Sequence, residues 1–143
     1  MRPARGSVAH RRGLRVGLLP QDVRFSRPQL TCRQIYAARV RTGVPLTDLG
    51  LVAPRDIDRP VGHLGTGQRR RLALALLVAD PPDLLLLDEP TNHISLALAE
   101  ELEEALHTAP GGVVVATHDR WLRRRWSGPA VEMAAGSIMA CRA

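Results

Sequence analysis

Apolar residues in this chain gather in short runs bounded by proline, glycine and charge. GLRVGLLP, residues 13–20, is one such run, closed by Pro20. A continuous apolar stretch this short predicts a buried strand. DLLLLDEP, residues 83–90, predicts a second. Leucine is a modest strand former and a buried helix competes locally, but Pro82 and Pro90 leave too little length for one. VVVAT, residues 113–117, is strongly β-branched and predicts a third buried strand.

The remaining apolar positions follow a helical period. TGQRRRLALALLVA, residues 66–79, predicts a helix begun by Thr66 or Gly67 and stopped by Asp80-Pro81-Pro82. From Leu72 onward it is apolar all round, so that part is expected to be buried. SLALAEELEEALHTA, residues 95–109, is amphipathic, with Ser95 suited to the N-cap. Leu98, Leu102, Ala105 and Leu106 form one face; Glu100, Glu101, Glu103 and Glu104 lie mostly elsewhere. RPQLTCRQIYAARV, residues 27–40, predicts a short helix capped by Thr31, with Ile35 and Ala38 on one face. Residues 42–62 are rich in proline, glycine and aspartate and read as loops around a helical turn. A short helix is expected from Asp119 or Arg120, then two short strands around Gly136.

Strand, helical insert, helix, strand, helix, strand, helix, hairpin is an α/β order with a mainly parallel sheet. Such sheets hold ligands beyond the carboxyl ends of their strands. Gln21, Asp88, Glu89 and His118 each follow an apolar run at that end. The runs before the carboxylates and before His118 also predict that these side chains are buried.

Composition sharpens the picture in a few places. The 143 residues suffice for one modest domain, and 45% hydrophobic content supports a packed core. The net charge is +6, and every basic residue is arginine. An all-arginine surface suits phosphate or nucleic acid and equally follows from GC-rich coding; charge sign alone specifies no site. Cys32 and Cys141 lack CxxC spacing, so neither a metal site nor a disulfide framework follows. His63, His93 and His107 have no metal spacing with one another. LRVGLLP is too short for a signal segment and no stretch approaches a membrane span, so the sequence reads as cytosolic.

Hydrolysis of a nucleoside triphosphate needs a metal, a positioned water and charge relief at the γ-phosphate. Asp88 is a hard carboxylate suited to Mg²⁺, usually through water. Glu89 suits the attacking water as general base. The Gln21 amide can span metal and water, and His118 can reach a phosphate oxygen from the next strand. HLGTGQRRR, residues 63–71, joins a glycine-bearing turn to a helix N-terminus, whose free N–H groups and dipole attract an anion.

These motifs together resemble the ATP-binding cassette (ABC) family of ATPases. Leu64-Gly65-Thr66-Gly67-Gln68 is similar to its signature motif, LLLLDEP to Walker B with the following glutamate, Gln21 to the Q-loop and His118 to the switch histidine. The segment from Ile94 is similar to the D-loop. DEPTNH and HDRW resemble the ABC-F subfamily, soluble two-cassette proteins that act on ribosomes, several conferring antibiotic resistance. The resemblance implies a partial P-loop NTPase (ABC cassette) core of α/β class, with a mainly parallel sheet, a helical subdomain insert and a C-terminal hairpin. It implies a strand and Q-loop at 14–21, a helical subdomain and signature helix at 22–79, and a Walker B, D-loop and switch-histidine core at 83–143, the later part of a second cassette. It implies ATP and Mg²⁺ as cofactors, with Asp88 and Gln21 at the metal and Glu89, His118 and Gln21 in catalysis. Leu64, Gly65, Thr66, Gly67 and Gln68 would face ATP held by a partner cassette, and no part would enter a membrane.

Three departures stand out. No GxxxxGK[ST] loop is present, and a chain without lysine cannot contain one; the family's counterpart would lie upstream of Leu14. Gly65 replaces the usual signature serine. Ile94-Ser95 stands where the D-loop aspartate is usual. Two other readings stay open: an ABC transporter ATPase subunit, and a non-hydrolysing ribosome- or RNA-binding fragment. In the latter, Arg69–Arg71 and Arg123–Arg125 would touch rRNA beside Trp121 and Trp126; the plainer view makes them a solvated face and two core tryptophans. Tyr36 and Phe25 read as local packing.

Overall fold

A computed structural model describes residues 6–92, 94–107 and 109–142. Three strands form a parallel sheet in the order β1-β2-β3: β1 Val16–Leu19, β2 Leu84–Asp88 and β3 Gly112–Ala116. The long β1–β2 connection carries α1 (Cys32–Arg39), three short 3₁₀ turns and α2 (Thr66–Ala79). The β2–β3 connection carries α3 (Leu96–His107), and α4 (Arg120–Arg125) follows β3. β4 (Ala130–Ala134) and β5 (Ser137–Arg142) close an antiparallel hairpin through Ala135 and Gly136, both at positive φ.

Local chemistry explains the boundaries. Thr31 caps α1 in a reciprocal box with Gln34: the Gln34 N–H donates to the Thr31 hydroxyl, and the Thr31 N–H donates to the Gln34 amide oxygen. Asp119 caps α4 by accepting from the Trp121 N–H. α3 starts directly after Ser95, whose carbonyl accepts from Ala99 N–H. Glycine is required before β3, because a Cβ on Gly111 would lie 2.6 Å from the Asp83 carbonyl oxygen.

The register puts Gly17, Leu85 and Val113, then Leu19, Leu87 and Val115, side by side on one face. That face packs into a continuous core with Leu72, Leu76, Leu102, Leu106 and the insert residues Ile35, Leu46 and Ile57. The opposite face is open: Val16, Leu18 and Val114 are exposed. The sequence expectation of strands buried on both sides is therefore corrected for β1 and β3. Helices cover one side only among the described residues, and only central β2 keeps its second-face leucines half-buried.

Two further expectations change. Ala38 is exposed, and the buried face of α1 is Cys32, Ile35 and Tyr36, whose hydroxyl donates to the Val44 carbonyl at 2.8 Å. Glu103 is buried rather than solvated, because the Arg125 Nε donates to its carboxylate at 2.6 Å from α4. Leu102 and Leu106 face the core as expected, while the Leu98, Glu101 and Ala105 side chains and His93 lie outside the described residues. The hairpin packs mainly on itself and exposes Val131, Met133, Ile138 and Met139.

Candidate nucleotide site at the strand ends

The carboxyl ends of the three parallel strands bring Gln21, Asp88, Glu89 and His118 to one rim. Asp88 is the last residue of β2 and pairs in register with Ala116 of β3. Glu89 turns away at φ 48°, a left-handed conformation that costs a residue with a Cβ about 1–2 kcal/mol. Several bonds hold it there. Its N–H donates to the Ala116 carbonyl at 2.8 Å, and its carbonyl accepts from Asn92 N–H at 3.1 Å and from the Arg70 guanidinium.

The turn aims the Glu89 carboxylate across to the next strand. Oε1 accepts from the His118 backbone N–H at 3.0 Å and lies 2.8 Å from His118 Nδ1. Oε2 accepts from the Thr117 hydroxyl at 3.2 Å. The Glu89 side chain is 17% exposed and the His118 side chain 80%. A carboxylate has about four acceptor positions, so Glu89 can still take a bond from water on its open side. A neutral imidazole that donates its Nδ1 proton to Glu89 presents only an acceptor at Nε2. Doubly protonated, it would donate to Glu89 and to a phosphate oxygen together.

The expected burial of Asp88 and His118 is corrected: both side chains are exposed. They project beyond the end of the sheet, where the core no longer covers them. An open Asp88 carboxylate fits a divalent cation better than a buried one would. Among the described residues no group of three or more His, Cys, Asp or Glu side chains could alone hold a metal ion. Mg²⁺ does not require such a cage, since water and substrate phosphates supply most of its shell. Asp88, with the exposed Gln21 amide beyond β1, fits that role.

Sequence reasoning missed Arg70. It is 2% exposed, although it sits in a triplet read there as a surface patch. Its NH1 donates to the Gln21 carbonyl at 2.9 Å, and its NH2 donates to the carbonyls of Asp88, at 2.7 Å, and Glu89. Burial pulls the Arg70 pKa down, while the nearby charges of Asp88 and Glu89 push it up. Arg69 and Arg71 are half-buried, so the triplet is not a solvated face. Its helical position was the available signal: Arg70 falls two residues before the apolar run that begins at Leu72.

The Gly65–Gln68 turn starts α2, and its side chains divide into anchors and free positions. Leu64 is buried in the core. The Gln68 side chain points inward: its amide nitrogen donates to Asp56 at 2.7 Å and its oxygen accepts from Gly65 N–H at 2.7 Å. Gly65 N–H is thus occupied, and Thr66 and Gly67 remain at the helix end. Asp56 is buried and also accepts from Arg59 at 2.8 Å. Burial alone would raise the Asp56 pKa, but the bonds from Arg59 and Gln68 outweigh it and hold the carboxyl below its ordinary 3.8. A depressed folded pKa contributes stability above the unfolded value, lost as pH falls through the folded one. Thermal unfolding at a series of pH values should show the chain weakening below pH 3.8, with Asp56→Asn losing less over that interval.

The second arginine triplet is divided too. Arg123, Arg124 and Arg125 are all exposed, but only Arg125 also pairs with Glu103 and lies 5.1 Å from the Trp121 ring centroid. Trp121 and Trp126 are half-buried, so neither is a core residue. The Trp126 indole donates to the Pro129 carbonyl at 3.2 Å. Asp119 is held below the ordinary carboxylate range, first by a bond from the Thr91 side chain and then by the Trp121 N–H. These bonds tie the loop after β2 to the start of α4.

The family model described as "ABC transporter" matches residues 2–92. The chain belongs to this ABC family. Among curated relatives, the ABC segment is 52% identical over 94 residues to the tylosin resistance ATP-binding protein TlrC of Streptomyces fradiae, covering 66% of this chain and 17% of that protein. It is 50% identical over 64 residues to the energy-dependent translational throttle protein EttA of Mycobacterium tuberculosis, covering 45% of this chain and 12% of that one. The segment thus spans a small part of the relatives it matches. Its fold matches that of the ATP-binding cassette MJ0796, solved as a dimer with ADP and Pi, at a TM-score of 0.68 and 22% identity. That match covers 90% of this chain and 62% of the other. A likeness to the archaeal ribosome recycling factor aABCE1 has a TM-score of 0.63 at 21% identity, covering 80% of this chain and 24% of that one. The α/β cassette fold read from the sequence is borne out. Among the described residues no helix is long and apolar enough to cross a membrane.

Proposed function

We propose that this chain is the ATP-binding and ATP-hydrolysing segment of an ABC-F type cassette, acting in the cytoplasm on the ribosome in translation or antibiotic resistance. The observation that carries the chemistry is the Glu89 carboxylate, set at the end of the central strand and joined to His118 of the neighbouring one. Glu89 is the general base, Asp88 and Gln21 are the metal positions, and His118 faces the γ-phosphate. Mg²⁺ would supply charge neutralisation at the β- and γ-phosphates. Gly65, Thr66 and Gly67 face the nucleotide of a second cassette, with Leu64 and Gln68 anchoring them. The division at 14–21, 22–79 and 83–143 follows these roles. The names of the resistance and throttle relatives support the ribosomal setting.

Residues 1–143 hold no lysine-bearing phosphate loop, so one side of the β- and γ-phosphates lacks its usual cradle. The expected result is that the purified chain turns over ATP far more slowly than a complete cassette. Turnover comparable to a complete cassette, abolished by Glu89→Gln, would overturn this. Exposed Arg123 and Arg124 on α4 support a second reading, RNA binding through counterion release. Salt-sensitive RNA binding indifferent to Mg-ATP would favour that reading.

A further inference from the structure

We propose that Arg70 is a positioning residue that fastens both rims of the site, Gln21 and Asp88–Glu89, to the helix that bears the signature turn. The proposal rests on the reading of that rim as a nucleotide site.

The guanidinium is buried, yet it makes no ion pair within 4.0 Å among the described residues, and its Nε has no hydrogen-bond partner. A buried charge of this kind stabilises a fold poorly compared with a well-packed apolar side chain. Its directed donors are what an apolar residue cannot supply. They reach three carbonyls on two different strand ends, 49 and 18–19 residues away in sequence. A planar fork suits such a task, because its donors keep a fixed relation to one another.

The mechanical consequence follows from the helix. Arg70 lies in the N-terminal part of α2, two residues after Gln68 of the signature turn. That turn is itself pinned by the Asp56 carboxylate through Gln68. A displacement of the turn therefore moves the guanidinium, and with it the Glu89 carbonyl. Glu89 already sits at positive φ, held there by several bonds, the one from Arg70 to its carbonyl among them. Its carboxylate reports the result by holding the His118 N–H, and its carbonyl by holding the Asn92 N–H.

Amide hydrogen exchange on the 143-residue chain tests this without nucleotide. Arg70→Met should accelerate exchange at Asn92 and His118 by about tenfold or more, while residues 72–79 of α2 keep their protection. Arg70→Lys should fall between, since an ammonium reaches the carbonyls without the fork; if the methionine variant does not fold, the lysine variant is read in its place. Asp56→Asn should accelerate His118 exchange when Arg70 is present and add little beyond Arg70→Met, because both act through one path. Unchanged rim amides would overturn the proposal. So would acceleration spread evenly through the sheet and α2, which would make Arg70 a support of the fold alone, or full additivity of the two substitutions. Failure of a complete cassette carrying this segment to bind ATP would undo the proposed function and leave this exchange pattern intact.

Discussion

Glu89→Gln, in a complete two-cassette assembly carrying this segment, is expected to cut ATP turnover about 10²–10⁴-fold, the usual contribution of a positioned general base. ATP binding should survive. Glutamine keeps the shape of glutamate, and its carbonyl oxygen can still accept from the His118 N–H that now bonds Oε1. Its NH₂ can take the place of Oε2 and donate to the Thr117 oxygen, reversing the present bond. The backbone turn at φ 48° is no harder for glutamine, because the two side chains have the same Cβ substitution. What disappears is the negative charge and the ability to take a proton from water. Steady-state turnover beside equilibrium binding of a labelled ATP analogue separates the two effects. Unchanged turnover would remove Glu89 from the chemistry; loss of binding to the same degree as turnover would make it a binding residue.

Leu72→Ala is expected to destabilise the chain by about 2–5 kcal/mol, the range for a buried leucine truncated to alanine. Leu72 has no exposed surface and sits in the shared core of the sheet and the insert. A cavity there touches both at once. Against a total stability of about 5–15 kcal/mol for an ordinary domain, the loss is large. Leu18→Ala supplies the contrast: it is 58% exposed on the open face of β1, so the expected change is about 0.5 kcal/mol or less. Urea unfolding of both variants checks the pair. Equal losses would mean that the open face is covered in solution and that the one-sided core drawn above is wrong.

Much of this was legible along the chain. Short runs bounded by proline marked β1 and β2, and a β-branched run marked β3, because a segment of that length can bury its backbone only as a strand in a sheet. Thr31, and Asp119 or Arg120, marked helix starts, and the structure caps both helices through local hydrogen bonds that need no tertiary contact. The strand-end positions of Gln21, Asp88, Glu89 and His118 followed from the same runs, since a parallel sheet places every such end on one side.

Which of those residues would be covered was not legible. Hydropathy reports how greasy a strand is, not whether a helix lies on each of its faces. Leu18 and Val114 are as apolar as Leu19 and Val115, yet only the latter pair packs against the core. Arg70 shows the converse. Its charge reads as surface in any one-dimensional pattern, and it is buried because three carbonyls from distant segments converge on it. The sequence by itself determined the main elements, their order and the rim on which Gln21, Asp88, Glu89 and His118 stand, all consequences of local periodicity and chain length. Only the tertiary structure decided what the rim is fastened to, because hydrogen bonds between residues far apart in sequence leave no period in the chain.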